Sequence, residues 1–132
     1  MSARDLPAPP ALRRREQMPH KVLGACHGGA GDVGCRMALD AADSSAGLSF
    51  LHDDILPPGV SIGEHDHRDI EETYFVAEGS GELLFDGRRL PVGPGDVSVC
   101  GPGHTHGIVN TGAAPLRLLV IALKLKEAAH AR

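Results

Sequence analysis

The 132-residue chain is poor in aromatic residues, with no Trp, one Tyr and three Phe. Its core must therefore be built mainly from aliphatic side chains. No apolar run approaches the ~20 residues that a membrane-spanning helix needs, and no apolar segment follows the arginines at 13–15, as an export signal would require. The net charge of −4 gives no basic face for nucleic acid. We expect a cytoplasmic protein whose partners include neither nucleic acid nor a membrane.

Cysteine is also scarce. The chain has an odd number of cysteines, and no two of them have the CxxC spacing; they are Cys26, Cys35 and Cys100. In a reducing compartment, unpaired cysteines of this kind usually serve as small buried hydrophobic residues. We predict that role for all three, with a reactive or metal-binding thiol as the alternative.

Glycine and proline are abundant by contrast, with 17 Gly and 10 Pro. They fall in compact clusters that recur about every eight residues, and apolar runs lie between the clusters. This pattern predicts many short strands and an all-β sandwich or barrel. Strands are predicted at 32–40, 48–56, 60–67, 73–79, 96–100, 104–110 and 115–125, with a hairpin at 81–93 around an Asp86-Gly87 turn.

The length predicts one domain, within which four parts can be separated. Residues 1–20 are rich in proline and charge and are predicted to be a flexible N-terminal tail. Residues 21–47 are predicted to be a strand-bearing arm, 48–125 the barrel, and 126–132 a C-terminal tail. Because exposed sheet edges and apolar strand faces are normally covered, we expect a homodimer in which the arm packs against the partner.

Histidine and glutamate are crowded into one stretch, GEHDHRDIEETYFVAEGSG, at 63–81. His65 and His67 stand at i and i+2, so on a strand both imidazoles point to the same face, about 6–7 Å apart. In an unbroken strand Glu72 would point to the opposite face. We therefore predict a turn or bulge at 68–70 that returns a carboxylate to the imidazoles.

A second i, i+2 pair, His104 and His106, stands at the start of a predicted strand that could lie opposite the first pair. Three imidazoles and one carboxylate, with no thiolate, suit one divalent transition-metal ion: Fe, Mn, Ni, Zn or Cu. Four protein ligands on an octahedral ion leave two positions for substrate, water or dioxygen. The residue types therefore indicate a metal site that is open on one side.

These residues resemble the two sequence motifs of the cupin superfamily, over roughly residues 48–123. The first motif is Gly-x5-His-x-His-x3–4-Glu-x6-Gly, and the chain matches it at every spacing. The second is Gly-x5-Pro-x-Gly-x2-His-x3-Asn, and the chain departs from it only at Gly101, where the motif has proline. The matching residues are Gly59, His65, His67, Glu72 and Gly79 in the first motif, and Gly95, Gly103, His106 and Asn110 in the second.

The resemblance implies a small single-domain cupin, that is, a single β-barrel (a double-stranded β-helix or jelly roll) with a metal ion inside. It implies His65, His67, Glu72 and His106 as the metal ligands. Glu71 fits only the shorter glutamate spacing and then misses the following glycine. Glu72 is therefore the glutamate that the resemblance selects.

Three classes of function are open at this point, and the third, a structural or storage role, is more usual for double-domain members of the superfamily. The first is a metal-dependent enzyme acting on a small organic molecule, with either dioxygenase chemistry or Lewis-acid isomerase, cyclase or lyase chemistry. Tyr74, His52 and His104 are the candidates to move protons in such an enzyme. The second is a non-catalytic, metal-bearing module that binds a small ligand. We favour the enzyme, because the ligand set leaves coordination positions open.

Overall fold

The computed structural model describes residues 2, 5–6 and 8–127 of the chain. Within this part, ten β-strands pair antiparallel, and no α-helix occurs. The strands are β1 (His20–Gly24), β2 (Asp32–Asp40), β3 (Leu48–Leu56), β4 (Ser61–Asp66), β5 (Ile70–Glu78), β6 (Gly81–Phe85), β7 (Arg88–Val92), β8 (Val97–Cys100), β9 (Thr105–Val109) and β10 (Leu116–Lys124). Short 3-10 helices span Arg15–Gln17, Cys26–Gly28 and Ala41–Asp43. The all-β prediction is confirmed.

The strands form two sheets that pack face to face as a jelly roll. The larger sheet has the strand order β1-β2-β3-β10-β5-β8, and the smaller one β4-β9-β6-β7. Apolar side chains from both sheets meet in one core. Its buried members are Val33, Leu56, Val60, Ile62, Tyr74, Val76, Leu83, Ile108, Leu116, Leu118 and Val120. These side chains are aliphatic apart from Tyr74, as the composition predicts.

Several local predictions agree with the strand bounds. β2 and β3 begin and end where the alternation of apolar residues predicts. Asp86 and Gly87 join β6 to β7, and both have positive φ (48° and 78°), as two-residue hairpin turns of type I′ require. β4 ends at Asp66 and β5 begins at Ile70, so the predicted break before Glu72 is confirmed.

The predicted N-terminal arm belongs to the larger sheet of its own chain. β1 pairs with β2, and β2 pairs with β3. The inner face of β2 contributes Val33 and Cys35, which are 0% and 1% exposed. Strand β1 was not predicted, because only Leu23 among its five residues is even partly buried and no apolar alternation marks it.

Two arginines of the predicted tail contact the barrel. Arg13 donates two hydrogen bonds to the carboxylate of Asp43, at 2.8 and 2.9 Å. Arg15 forms an ion pair with Asp53 on β3. Residues 1, 3, 4 and 7 of this tail and residues 128–132 of the predicted C-terminal tail lie outside the described part, so flexibility of the tails stays a prediction.

No helix in the described ranges is long and apolar enough to cross a membrane.

Candidate metal centre

The jelly roll brings the four predicted ligands together. His65 on β4 and His106 on β9 are directly paired across neighbouring strands of the smaller sheet. His67 follows the end of β4, and Glu72 lies on β5 of the larger sheet. Each side chain offers one donor atom, and all four atoms lie within 4.8 Å of one another.

The glutamate stands between the three imidazoles. Oε1 of Glu72 lies 2.9 Å from Nε2 of His106 and 3.3 Å from Nε2 of His65, and Oε2 lies 3.2 Å from Nε2 of His67. Adjacent ligands of an octahedral ion with bonds of ~2.1 Å lie roughly 3 Å apart. The oxygen–nitrogen separations therefore fit a divalent transition-metal ion.

Neighbouring groups orient the imidazoles toward the glutamate. Nδ1 of His65 donates a hydrogen bond of 2.8 Å to the carbonyl oxygen of Gly63, which leaves Nε2 as the nitrogen that faces Glu72. Nε2 of His67 is buried and makes no hydrogen bond among the described residues, because its geometry toward Oε2 of Glu72, 3.2 Å away, is unsuitable for one. A buried nitrogen of this kind is unusual in a folded protein, and an ion bound at the cluster would satisfy it.

The cluster holds a buried negative charge. Burial by itself would raise the pKa of Glu72, but the hydrogen bonds with His106 and His65 outweigh burial and hold the pKa well below its usual range. Burial lowers the pKa of His106 and outweighs the bond to Glu72. Glu72 and His106 thus have the protonation state that ligands need. Burial opposes the charged form of His65, but its bonds to Glu72 and Gly63 outweigh burial and raise its pKa, so an ion would have to displace a proton there.

Tyr74 packs directly against this cluster. It is two residues from Glu72 on the same face of β5, and its ring stacks on His106 with centroids 4.1 Å apart and planes within 7°. The side chain is 2% exposed, yet its hydroxyl has no hydrogen-bond partner in the described part of the chain. Burial raises the pKa of Tyr74 well above its usual value, so the hydroxyl stays protonated at neutral pH.

A cavity of about 100 Å³ opens beside the cluster. Its apolar wall is formed by Leu23, Phe50, Ile62 and Val120. The polar part of the lining consists of Cys26, His27, His52, Asp54, His65, Glu72 and Tyr74. The cavity has room for a small organic molecule, and no lysine or arginine lines it within the described part of the chain.

The three predicted proton-moving residues lie in different places. Tyr74 and His52 line the cavity, as predicted for residues that could meet a ligand. The structure does not bring His104 to it: this residue precedes β9, its side chain is 53% exposed, and Nδ1 contacts the carboxylate of Asp86. The interaction with Asp86 anchors His104 to the β6–β7 turn and accounts for its position.

Sequence reasoning missed two residues of the cavity, Cys26 and His27. The ring of His27 stacks on His65, with centroids 3.7 Å apart. The loop that carries both residues contacts β4 through backbone: a Cβ on Gly63 would lie 2.1 Å from the carbonyl oxygen of His27. A glycine is therefore needed at position 63, and a Gly in an otherwise regular strand is the one signal that could have indicated the contact.

Other residues of the two motifs have structural roles. Asn110 is 1% exposed, and its Nδ2 donates to the carbonyl oxygens of Leu56 and Ala114 at 2.8 Å each. Gly79 has a φ of +81°, and a Cβ there would lie 2.4 Å from the carbonyl oxygen of Pro115. These residues hold the turns between strands, and the ligands supply the chemistry.

A sequence profile of the Cupin domain matches residues 53–122, which is more than half of the chain. The chain belongs to the cupin family. All four candidate ligands of this cupin lie inside the matched range.

Two curated proteins are similar to this cupin in sequence. One is the oxalate-binding protein of Thermotoga maritima, 37% identical over 70 residues, or 53% of this chain and 58% of that protein. The other is an uncharacterized protein of Methanocaldococcus jannaschii, 35% identical over 69 residues, or 52% of this chain and 55% of that protein. The matches thus span less than two thirds of the length of either relative.

Solved structures also resemble this cupin. A predicted oxalate decarboxylase from Thermotoga maritima superposes with a TM-score of 0.82 at 28% identity, covering 86% of this chain and 99% of that one. The polyketide cyclase RemF from Streptomyces resistomycificus superposes with a TM-score of 0.70 at 26% identity, covering 85% and 78%. Relatives with binding, decarboxylase and cyclase names therefore share one barrel, and the barrel alone does not select among them.

Proposed function

We propose that this cupin is a metal-dependent enzyme that acts on a small organic molecule, with the ion held by His65, His67, Glu72 and His106. The observation that carries the proposal is that two of these donors, His65 and Glu72, lie on the wall of the cavity. A structural ion is usually enclosed by protein ligands on all sides. Here the cavity borders the donor set, so a ligand in it would lie next to the ion.

The bound ion would supply either dioxygenase chemistry, if it is iron, or Lewis-acid chemistry of the isomerase, cyclase or lyase type, if it is Zn, Mn or Ni. The chain contributes Tyr74, which lines the cavity and whose protonated hydroxyl has no hydrogen-bond partner among the described residues. We assign Tyr74 the role of hydrogen-bond or proton donor to the ligand. The apolar wall formed by Leu23, Phe50 and Val120 would exclude water from that ligand.

The alternative is a non-catalytic module that binds a small ligand through its metal. The name of the oxalate-binding relative favours this alternative. Oxalate is therefore the first compound to test. Because no lysine or arginine lines the cavity within the described residues, binding of this dianion would depend on the ion.

The test of the enzyme proposal is metal analysis of anaerobically purified protein, followed by oxygen uptake and product analysis on candidate substrates that include oxalate. Turnover should require the metal and fall at least ~100-fold in Glu72→Gln, which keeps the shape but removes the negative charge that faces a divalent ion. Glu71→Gln is the matched control and should retain activity. Unchanged turnover in Glu72→Gln or in metal-free protein would contradict the proposal, and metal-dependent binding without turnover would favour the binding module.

We also propose that the cupin forms a homodimer. β1 and β8 are the two edges of the larger sheet. Exposed apolar side chains lie on both, with Val22 63% exposed on β1 and Val97 and Val99 62% and 49% exposed on β8. Such edges and faces are normally covered. Sedimentation as a dimer at micromolar concentration is expected, and a stable monomer would contradict this proposal.

A further inference from the structure

A second group of metal-ligating side chains lies on the larger sheet, outside the His65–Glu72 cluster. It consists of Cys35 on β2 and of His52 and Asp54 on β3. Cys35 and Asp54 are direct partners across the two strands. His52 stands two residues before Asp54, so the three side chains point to the same face. One donor atom of each residue lies within 4.8 Å of the others.

The polar groups of this cluster are only partly satisfied, because the thiol of Cys35 reaches the carboxyl of Asp54 while two other polar atoms make no hydrogen bond among the described residues. Asp54 is 4% exposed, and among the residues that the structure describes its Oδ1 has no hydrogen-bond partner. Nε2 of His52 is buried and has none there either. No ion pair within the described residues involves Asp54. Buried polar atoms are nearly always satisfied in native proteins, so two unsatisfied atoms in one cluster call for a common explanation.

We propose that Cys35, His52 and Asp54 form a second metal site, which takes a thiolate-accepting divalent ion such as Zn²⁺. A thiolate, an imidazole and a carboxylate are the three ligand types that zinc accepts in proteins. One bound ion would satisfy both Oδ1 of Asp54 and Nε2 of His52. Because His52 and Asp54 also line the cavity, the remaining tetrahedral position would face it, as in zinc sites with three protein ligands.

The two sites differ in the softness of their donors. The His65, His67, Glu72 and His106 set offers only nitrogen and oxygen, whereas the second set includes the sulfur of Cys35. Softer thiolate ligands favour zinc over manganese or magnesium. Metal ligation at the second site would also remove His52 from the proton-moving role that the sequence predicts for it.

Cobalt(II) distinguishes the sites directly, because a cobalt–thiolate bond has a strong charge-transfer absorption in the near ultraviolet and a cobalt–imidazole or cobalt–carboxylate bond does not. The full chain, stripped with a chelator, is titrated anaerobically with Co²⁺ while bound cobalt is measured by equilibrium dialysis. The proposal predicts two bound Co²⁺ per chain together with the thiolate absorption. One bound Co²⁺ per chain without that absorption would overturn it, and this result needs no variant.

Matched variants assign the ligands. Cys35→Ser and Asp54→Asn should each remove or strongly weaken the thiolate absorption and reduce bound cobalt to one ion per chain. Cys26→Ser and Cys100→Ser are the controls and should retain the absorption. His106→Ala should lose the first ion while the absorption persists, so failure of the first site is distinguished from failure of the second. Absorption that persists in Cys35→Ser and disappears in a control variant would overturn the assignment.

Discussion

Two neighbouring aspartates on opposite faces of β3 have very different surroundings. Asp53 and Asp54 are 6% and 4% exposed, so both carboxyl groups are buried. Asp53, on the outer face, accepts hydrogen bonds from Nε and Nη2 of Arg117 at 3.0 and 2.7 Å and also pairs with Arg15. Asp54, on the inner face, lies opposite Cys35 and has one oxygen without a partner.

The pKa values follow from these surroundings. Burial raises the pKa of Asp53, but the hydrogen bonds from Arg117 and Arg15 outweigh burial, and the pKa lies below its usual value. Burial raises the pKa of Asp54 to about 7; the hydrogen bond with the Cys35 thiol opposes this rise, and the nearby charges of Asp53 and Glu72 add to it. On the outer face two arginines thus neutralise the carboxylate of Asp53. On the inner face the carboxyl of Asp54 has only the thiol of Cys35, and its Oδ1 has no partner among the described residues.

The largest expected effect is on the pH dependence of stability in metal-free protein. The folded chain holds the Asp54 proton up to about pH 7, whereas the unfolded chain releases it near pH 4. The free energy of unfolding should therefore fall as the pH rises from about 4 to 7, by at most about 4 kcal/mol from this group. Asp54→Asn should remove that decrease. Denaturant unfolding in excess chelator at pH 4, 5.5 and 7 measures the difference, and equal pH dependence in both proteins would contradict it.

A smaller effect is expected when the outer carboxylate is removed. Asp53→Asn leaves Arg117 and Arg15 without a counter-charge, which should lower the free energy of unfolding by about 1–3 kcal/mol at pH 7. Asp54→Asn should cost less than Asp53→Asn at that pH, because it breaks no ion pair. Chemical unfolding of the two variants side by side checks the order. A larger loss in Asp54→Asn than in Asp53→Asn would contradict this order.

The smallest loss of stability is expected from removing Arg15, the more exposed of the two arginines that pair with Asp53. The side chain of Arg15 is 42% exposed, so its pair with Asp53 is partly screened by solvent. Arg15→Ala should lower the free energy of unfolding by no more than about 1 kcal/mol. Arg117→Ala should cost more, because Arg117 makes two hydrogen bonds to the same carboxylate. Thermal unfolding of the two variants measures the difference. Equal losses of stability would contradict the prediction that the Arg15 pair contributes less than the Arg117 pair.

Much of the barrel could be predicted from the sequence, because its strands alternate and its turns carry Gly, Pro and Asp. The ligand set could be predicted because His65, His67 and Glu72 lie within eight residues, and their spacing with His106 matches two motifs. Strand β1 could not be predicted, because it is an edge strand in which only Leu23 is partly buried, and such a strand needs no apolar alternation.

The features that could not be predicted from the sequence depend mainly on contacts between segments far apart in the chain. The stacking of His27 on His65 depends on a backbone approach at Gly63, and no local pattern encodes that approach. His104 shares the i, i+2 spacing of the first histidine pair, but β9 begins only at Thr105, and His104 contacts Asp86 instead of the cavity. Cys35 was predicted as a buried hydrophobic residue, and its position opposite Asp54 depends on the pairing of two strands.

The central claim is that the inner face binds a metal ion through His65, His67, Glu72 and His106. The most direct test is the number of Co²⁺ ions bound per chain in wild type, His106→Ala and His104→Ala, each stripped, reloaded anaerobically and dialysed. The account predicts that His106→Ala binds one ion fewer than wild type and that His104→Ala binds the same number. Loss of the ion in His104→Ala with full binding in His106→Ala would contradict it.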